Sequence, residues 1–528
     1  MMTQLRKSLA LAMIETSFPL LSCIIGVPLL GVLAISLLRD VVLAKKLGLA
    51  VAGFELLLTV CLVLQFNSAN GGFQWMEHHV WIPSLHIEYL LGVDGISVLF
   101  LPMTALLTLM AILVSWNAVQ QLTRLHLALL LALEGVTMGI FCALDMVLFF
   151  LFWELTLPLI FFLIGLWGVG AERRLAATKY TLFMLFGGLA LLAAIIILAL
   201  DHPDSAHNTG THGWVFSYPE LLKNPLPDHL QATVFSLLLL AFAVKAPLLP
   251  FHTWLPTVAM EGAPHTTALL VGLKLGVYGL IRFALPLAPT AAVEFSWALG
   301  IIGGVTLIYA GLIALQQSNL RRLLAYASIS HVGLVVVGIA GLNMQGIQGA
   351  VLQLFNFSLI ASALMLIAGF IQQRLGSTEA IHLGGLAKVM PRLTACYFLF
   401  MLASIGLPGT SGFPAELLLF MSALMSHASL AIIALLGAIL SAAYMLSFSR
   451  RVFWGAVSKQ MGQISDIRPR ELLVLAVPAV LVVIIGCYPQ GFVNISRTAA
   501  EAWLSSILEQ QALKSGSVAE GDANSSQQ

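Results

Sequence analysis

One lysine in this 528-residue chain lies where a charge is costly. Lys245 follows the nearly uncharged run TVFSLLLLAFAV and begins the segment KAPLLPFHTWLP, so we expect its ammonium deep within a membrane-spanning helix. A charge at that depth costs about 2.5–3.5 kcal/mol on insertion scales. Pro247 and Pro250 then interrupt the helix and free backbone groups, which are tolerated there only beside protein or water. An ionisable group at a broken helix indicates a path for an ion or a proton.

A glutamate occupies another apolar segment, FFLFWELTLPL. Glu154 lies near the middle of this predicted helix, where a purely structural role would be a hydrogen bond to a neighbouring helix. If Glu154 and Lys245 form a pair, each charge keeps the other ionised, and separating them favours release of the lysine proton. The two residues therefore predict a switch whose titrations are coupled.

Two more ionisable residues are predicted to act as relays. Lys274 lies inside a span in GLKLGVYGLIRF, between Gly272 and Gly276, which leave room for water; the alternative is snorkelling to the interface. Glu416 follows a second proline-interrupted segment, GLPGTSGFPAE. Its carboxyl group could hold a proton when buried and release it when hydrated, or it could stabilise a helix start.

Histidines and further carboxylates extend this set. His331, in LAYASISHVG, could relay protons near neutral pH or could hydrogen-bond a carbonyl. His252, beside the first break, and His265 could line an entrance from the cytoplasm. Glu134 and Glu55 are further carboxylates in predicted spans.

The remaining polar groups are assigned to structural or exposed positions. We expect Asp94 to cap a helix or order a loop, and Arg282 to anchor its helix at the membrane interface. The other histidines in the same outer loop show no metal-ligand pattern and are expected to be exposed: His78, His79 and His86.

The composition indicates a polytopic membrane protein. Hydrophobic residues make up 59% of the chain and charged residues only 9%, against about 25% charged in soluble domains. The net charge of +1 gives no sign of a nucleic-acid partner. There is no CxxC spacing, no Walker-type loop and no GxGxxG after a strand, so we expect neither metal, nucleotide nor redox centre in this chain. The cysteines are scattered through apolar segments: Cys23, Cys61, Cys142, Cys396 and Cys487.

Apolar stretches of about 20 residues predict fourteen membrane helices and an all-α fold. Most Lys and Arg residues fall in loops on one side of this arrangement, which places both termini outside by the positive-inside rule. The segment 1–16 is expected to be a short extension, and 510–528 a disordered tail. The helices are expected at about 18–38, 47–66, 90–115, 125–143, 145–168, 178–200, 232–251, 266–287, 293–315, 323–341, 346–372, 393–424, 428–449 and 471–493.

The two interrupted helices predict an inverted repeat. The breaks at Pro247 and Pro250 and at Pro408 and Pro414 fall in corresponding positions of two halves, which is the pattern of inverted-repeat transporters. Each half holds five helices, an odd number, so the copies have opposite membrane orientation. The predicted regions are helices 1–3 over 17–120, the two repeats over 121–290 and 291–452, and a loop with the last helix over 453–509.

Six segments together resemble one family: LGVDGIS, FWELTLP, KAPLLPFHTWLP, GLKLGVYGLIRF, YASISHVG and GLPGTSGFPAE. They are similar to the antiporter-like chain, subunit M or chain 4, of respiratory complex I and of the related cyanobacterial and plastid NAD(P)H dehydrogenases, and the likeness covers nearly the whole chain. The resemblance implies a proton channel in a membrane arm. In it, Glu154 and Lys245 would be the modulating pair, Lys274 the central relay, His331 part of the polar axis and Glu416 the connection to the outer side.

The same resemblance implies partners. Electron transfer from NAD(P)H to quinone would occur in other subunits that carry FMN and iron–sulfur clusters, beside neighbouring antiporter-like subunits. The location would be a bacterial inner membrane, or a thylakoid membrane if the source is cyanobacterial. A subunit of a multisubunit Na⁺/H⁺ antiporter and a membrane subunit of an energy-converting hydrogenase are the alternatives. The electron donor and the quinone stay open.

Two positions depart from the family pattern. Asn356 stands where many such chains carry a histidine, and an amide can hydrogen-bond but cannot titrate, so we expect water or neighbouring residues to complete the axis there. The segment APHTTALL, 263–270, also departs from the apolar sequence that is usual in the family at this place. Both departures resemble the specialised chains of carbon-uptake dehydrogenase complexes.

Overall fold

The computed structural model describes residues 18–200, 214–223, 226–457 and 464–525. Thirteen helices in these ranges are long and apolar enough to cross a membrane, which confirms the all-α polytopic class. The helices are α1 (Leu20–Leu37), α2 (Val41–Gln65), α3 (Phe100–Ala118), α4 (Thr123–Cys142), α5 (Met146–Trp167), α6 (Arg173–Leu200), α7 (Tyr218–Lys223), α8 (Asp228–Lys245), α9 (Trp254–Glu261), α10 (Pro264–Gly272), α11 (Leu275–Gly279), α12 (Leu285–Leu287), α13 (Pro289–Glu294), α14 (Ser296–Leu315), α15 (Leu320–Ile339), α16 (Met344–Leu375), α17 (Leu386–Val389), α18 (Pro391–Ser404), α19 (Gly412–Ser426), α20 (Ala428–Val452), α21 (Pro469–Cys487) and α22 (Gln490–Ser525).

Both predicted helix breaks are present. Helix α8 ends at Lys245 and α9 begins at Trp254, while α18 ends at Ser404 and α19 begins at Gly412. Helices α18 and α19 together occupy the predicted span 393–424. Polar contacts satisfy the backbone at the first break, because the Trp254 indole donates to the Val244 carbonyl and the Leu249 N–H donates to Thr306.

A third interruption was not predicted. The span over Pro264–Leu287 is divided between α10 and α11, where Lys274 has a left-handed φ of 41°. Two serines of α16 satisfy carbonyls at the end of α10, since Ser358 donates to Gly272 and Ser362 donates to Ala268. A lysine gives no sequence signal for this conformation, which favours glycine.

Helix α16 is the centre of the core. The apolar part of this helix is wholly buried, and α16 contacts α3, α10, α15, α19 and α21. By contrast, α1, α2 and α20 expose many leucines and isoleucines, as helices that face lipid do. The polar residues within this apolar part, among them Gln353, Asn356, Ser358 and Ser362, therefore lie well inside the bundle.

An antiparallel hairpin precedes α3, so the prediction of a helix from residue 90 was wrong. Strand β1 (Gln74–Ile82) pairs with β2 (Ile87–Val93), and α3 begins only at Phe100. A short turn that starts at Pro83 reverses the chain and lets the two strands satisfy each other's backbone groups. Apolar composition alone does not distinguish such a buried strand from the first turns of a helix.

The C-terminal region also differs from expectation. After the last span, α22 continues to Ser525, where a disordered tail from residue 510 was predicted. Trp503 donates to the Ile281 carbonyl and Thr498 donates to the Ser68 carbonyl, which fixes the first half of this helix against the hairpin side of the bundle. Once such a helix is anchored, each added residue contributes a further backbone hydrogen bond. Residues 526–528 lie outside the described ranges.

Arg282 is a buried partner of Asp94 and not an interfacial anchor. The two side chains are 2.6 Å apart and at most 7% exposed, and the guanidinium also lies over the rings of Phe73 and Tyr218. Asp94 in addition orders its own loop by accepting hydrogen bonds from Ile96 and Ser97. The pair joins the hairpin end to the interrupted α10–α12 span.

We predict that Arg282→Leu lowers the free energy of unfolding by about 3–5 kcal/mol, because it leaves the Asp94 carboxylate buried without its cation. Denaturant unfolding of the purified chain measures the loss. Lys223→Gln is the matched control, since the ion pair of Lys223 with Glu220 is exposed and is worth less than about 1 kcal/mol. Equal stabilities of the two variants would contradict the structural importance of the Arg282 pair.

Candidate functional site

The Lys245 ammonium is held by neutral groups. Its Nζ atom lies 3.0 Å from the Thr156 hydroxyl, 3.5 Å from the Trp153 carbonyl and 3.8 Å from the centroid of the Trp153 ring. All three groups belong to α5. Cation–π and hydrogen-bond contacts of this kind stabilise the positive charge without neutralising it.

Glu154 lies close enough to Lys245 to interact electrostatically, but the two make no direct ion pair. Residues 154 and 156 of one helix point in different directions, so Thr156 faces Lys245 while Glu154 faces α6. There, the carboxylate packs against Gly188, where a Cβ atom would overlap Oε1. The same oxygen is buried and has no hydrogen-bond partner within the described ranges.

The start of α5 is fixed by Asp145, which lies outside the spans. Its carboxylate accepts hydrogen bonds from the N–H groups of Val147 and Leu148, and it also accepts one from Glu88 of β2. Burial raises the pKa of Asp145 to about 6. This cap sets the position of the helix that carries Glu154 and Thr156.

Lys274 and Lys245 lie at two helix breaks that pack against each other. Gly276 contacts Ala246 so closely that a Cβ atom on Gly276 would overlap the Ala246 backbone. A cavity of about 40 Å³ between the breaks is lined by both lysines, together with Tyr180, Trp254 and apolar side chains. One water needs about 10–15 Å³ on this measure, so the cavity has room for a short water chain.

Beyond the cavity, Lys274 points toward α15 and α16. Its Nζ donates to the Ser328 hydroxyl at 2.5 Å and lies 5.7 Å from the centroid of the Phe357 ring. The His331 imidazole packs against the same ring at a tilt of 36°, with the ring centroids 3.9 Å apart. Phe357 therefore lies in contact with both Lys274 and His331.

His331 makes the direct contact with Glu416. Its Nδ1 lies 3.6 Å from Oε1 of the glutamate, and both side chains are at most 7% exposed. The other ring nitrogen lies 3.4 Å from the Ser441 hydroxyl. Oε2 of Glu416 rests against Gly406, whose positive φ of 79° marks the second break. Glycine is required there both for its conformation and for the space that the carboxylate occupies.

Asn356 belongs to a polar network beside this pair. It donates to Gln353 at 3.1 Å and accepts a hydrogen bond from Ser411, which precedes α19. Gln353 lies beside Glu416. The non-titrating amide thus connects the central helix to the second break.

The structure places the other predicted residues elsewhere. His252 is buried beside the first break and packs edge-on against Tyr309 with ring centroids 5.3 Å apart. Glu134 is 1% exposed and interacts with Glu55 of α2, and neither carboxyl group has a hydrogen-bond partner within the described ranges. Glu134 thus lies beside Glu55 and not beside the lysine–histidine series.

Sequence reasoning missed several partners. Nε2 of His265 lies 2.9 Å from Nε2 of His126, which was not among the candidates. Thr156, Ser328 and Phe357 were missed as well. Single hydroxyls and aromatic rings in apolar helices give no local signal, and the partners are up to 139 positions apart.

The fold and the buried residues define a class: a polytopic membrane protein with interrupted helices, in which a series of buried lysine, histidine and glutamate side chains lies at or between the interruptions. Residues 143–441 match the family described as NADH:quinone oxidoreductase/Mrp antiporter, TM. The chain belongs to this family.

Its relatives are named as subunits of quinone oxidoreductases. NAD(P)H-quinone oxidoreductase chain 4 1 of Synechococcus elongatus is 37% identical over 520 residues, 95% of each chain. NADH-quinone oxidoreductase subunit M of Rickettsia conorii is 34% identical and covers 84% of this chain and 88% of its own length. A chain of respiratory complex I from Thermus thermophilus superposes with a TM-score of 0.83 at 29% identity, covering 92% of this chain and 99% of that one. A chain of the Mrp complex from Dietzia shares the fold at 22% identity, with a TM-score of 0.77, covering 93% of this chain and 100% of that one.

The contact between Glu154 and Gly188 gives a packing prediction. Gly188→Ala forces the carboxylate or α6 to move and should lower the free energy of unfolding by about 1–3 kcal/mol, as overpacking does. Gly165→Ala is the control in the same helix pair, because its Cβ atom would meet Ala177 at an ordinary 3.7 Å. Thermal unfolding of both variants measures the difference, and equal midpoints would show that Glu154 does not occupy this position.

Proposed function

We propose that this chain is the subunit M, or chain 4, type membrane-arm subunit of an NAD(P)H–quinone oxidoreductase and that it conducts protons. The observation that carries the proposal is the buried series Lys245, Lys274, His331 and Glu416, which links two helix breaks. The family includes both oxidoreductase and Mrp antiporter chains, so it does not separate the two. The names of the relatives and the higher similarity to the complex I chain support the oxidoreductase complex over the Na⁺/H⁺ antiporter and the hydrogenase alternative.

Proton movement begins with the lysine at the first break. Lys245 is stabilised by Thr156 and Trp153 at contact distance and by Glu154 at longer range. A shift of Glu154 away from Lys245, or its protonation, removes part of the stabilisation of the ammonium. The proton then passes through water in the intervening cavity to Lys274, so Glu154 acts by modulating the lysine and not by carrying the proton.

The second part of the route passes from Lys274 to Glu416. The Ser328 hydroxyl can accept from Lys274 and donate onward, since a hydroxyl carries both functions. Phe357 contacts both Lys274 and His331 and cannot carry a proton, so water that enters beside the ring must complete this step. His331 then passes a proton to the Glu416 carboxylate once their 3.6 Å contact shortens to hydrogen-bond distance, and the Asn356–Ser411 network connects this end to the second break.

The wider assignments follow from the same proposal. The two breaks belong to inverted five-helix repeats over 121–290 and 291–452, with both termini outside. The complex resides in a bacterial inner membrane, or in a thylakoid membrane in a cyanobacterium. This chain holds no redox centre, and FMN, iron–sulfur clusters and quinone are bound by partner subunits.

We predict that Lys245→Ala lowers NAD(P)H-driven proton transport roughly 10-fold or more, because the first titrating group of the route is lost. Glu154→Ala should also lower proton transport, but by a smaller factor. Dye-quenching measurements on membrane vesicles, corrected for the amount of assembled complex, test this. Lys223→Ala removes an exposed lysine and is the control. A normal ratio of protons to electrons in the Lys245 variant would rule out its assigned role.

Asn356 is predicted to act through hydrogen bonds alone. Asn356→Leu breaks the contacts to Gln353 and Ser411 and should reduce transport several-fold, while Asn356→His restores a hydrogen-bonding side chain and should retain most of it. Transport is compared at several pH values in the same vesicle assay. Equal transport by the leucine variant and the unaltered chain would remove Asn356 from the route.

A further inference from the structure

A large cavity opens where five helix ends meet, away from the proton route. Its volume is about 560 Å³, and it lies between the C-terminal ends of α3, α5 and α16 and the N-terminal ends of α10 and α21. These ends share the face on which Arg124, Arg173 and Arg450 lie, which is the cytoplasmic face by the positive-inside rule. The cavity is therefore at the level where lipid headgroups meet the helix ends.

The charge of the cavity is positive. Three arginines line it, but only Arg374 is neutralised, by Glu471 at 2.5 Å. Arg468 is exposed and Arg470 is partly exposed, and no carboxylate pairs with either guanidinium within the described ranges. Two cationic groups are thus left for a ligand. Their charge opposes entry of protons or metal cations.

The lining also includes apolar side chains. Leu113, Val114, Val169, Phe370 and Trp167 contribute them, beside the polar side chains of Asn117, His265, Gln372 and Gln373. A cavity that combines unpaired guanidinium groups with apolar side chains fits an amphiphile better than a small hydrophilic anion. Its volume falls within the roughly 300–1,000 Å³ range of ligand sites.

We propose that this cavity binds the headgroup and upper acyl region of an anionic phospholipid. Arg468 and Arg470 would contact the phosphate, since the guanidinium fork matches phosphate oxygens. Basic pockets between membrane helices on the cytoplasmic side bind anionic headgroups in this way. The inference rests on the cavity and the membrane topology, so it does not depend on the proton route.

The test uses the assembled complex in nanodiscs of phosphatidylcholine with added phosphatidylglycerol, and native mass spectrometry counts the bound phosphatidylglycerol. The double variant R468Q/R470Q should weaken phosphatidylglycerol binding roughly 30-fold, from about 1 kcal/mol for each of the two basic side chains. R450Q/R451Q removes the same charge from exposed positions on the same face and should change binding less than about two-fold.

Several results would overturn the proposal. One is unchanged phosphatidylglycerol binding by R468Q/R470Q, and another is equal binding of phosphatidylcholine. Displacement of phosphatidylglycerol by millimolar inorganic phosphate would indicate a free-anion site. A cross-link from V169C to a partner subunit that excludes the lipid would indicate a protein interface.

Discussion

Burying charge in an apolar bundle is the constraint on which the rest of this structure depends. An unpartnered ion in that environment is unstable, so each buried charge must lie beside polar backbone, a counter-charge, an aromatic ring or water. Lys245, Lys274 and Glu416 each lie at or beside a helix break, where free backbone groups and small residues supply that surrounding. Gly276 brings the breaks at Lys245 and Lys274 into contact, and Gly406 makes room for the Glu416 carboxylate at the break between α18 and α19. The breaks and the charges are therefore parts of one arrangement.

The two halves of the site stabilise charge differently. The lysines of the first half contact neutral partners, Thr156 and Ser328, and Glu154 interacts with Lys245 at longer range. The second half joins an imidazole directly to a carboxylate, His331 to Glu416. The proposed route therefore begins at lysines whose charge is stabilised mainly by neutral groups and ends at an imidazole–carboxylate contact.

The sequence predicts those features that have a local physical cause. Proline pairs fix both predicted breaks, and the cost of a buried charge identifies Lys245, Glu154 and Glu416. Features that depend on contacts between distant residues could not be predicted from the sequence. Lys274 adopts a left-handed conformation because serines of α16 satisfy the freed carbonyls. Arg282 is buried because it pairs with Asp94, which lies 188 positions earlier in the chain. The hairpin and the His126–His265 contact arise in the same way. The roles of the individual residues in transport remain predictions.

The central claim is that the polar residues act in series as one route. A double-mutant cycle on Lys274 and His331 tests this claim most directly. Proton transport is measured in the assembled complex for K274A, for H331A and for the double variant. Because removing two steps of one route is no worse than removing the more severe one, the double variant should transport at the rate of the slower single variant. Effects that multiply in the double variant would show that the two residues act independently, and would contradict a single route.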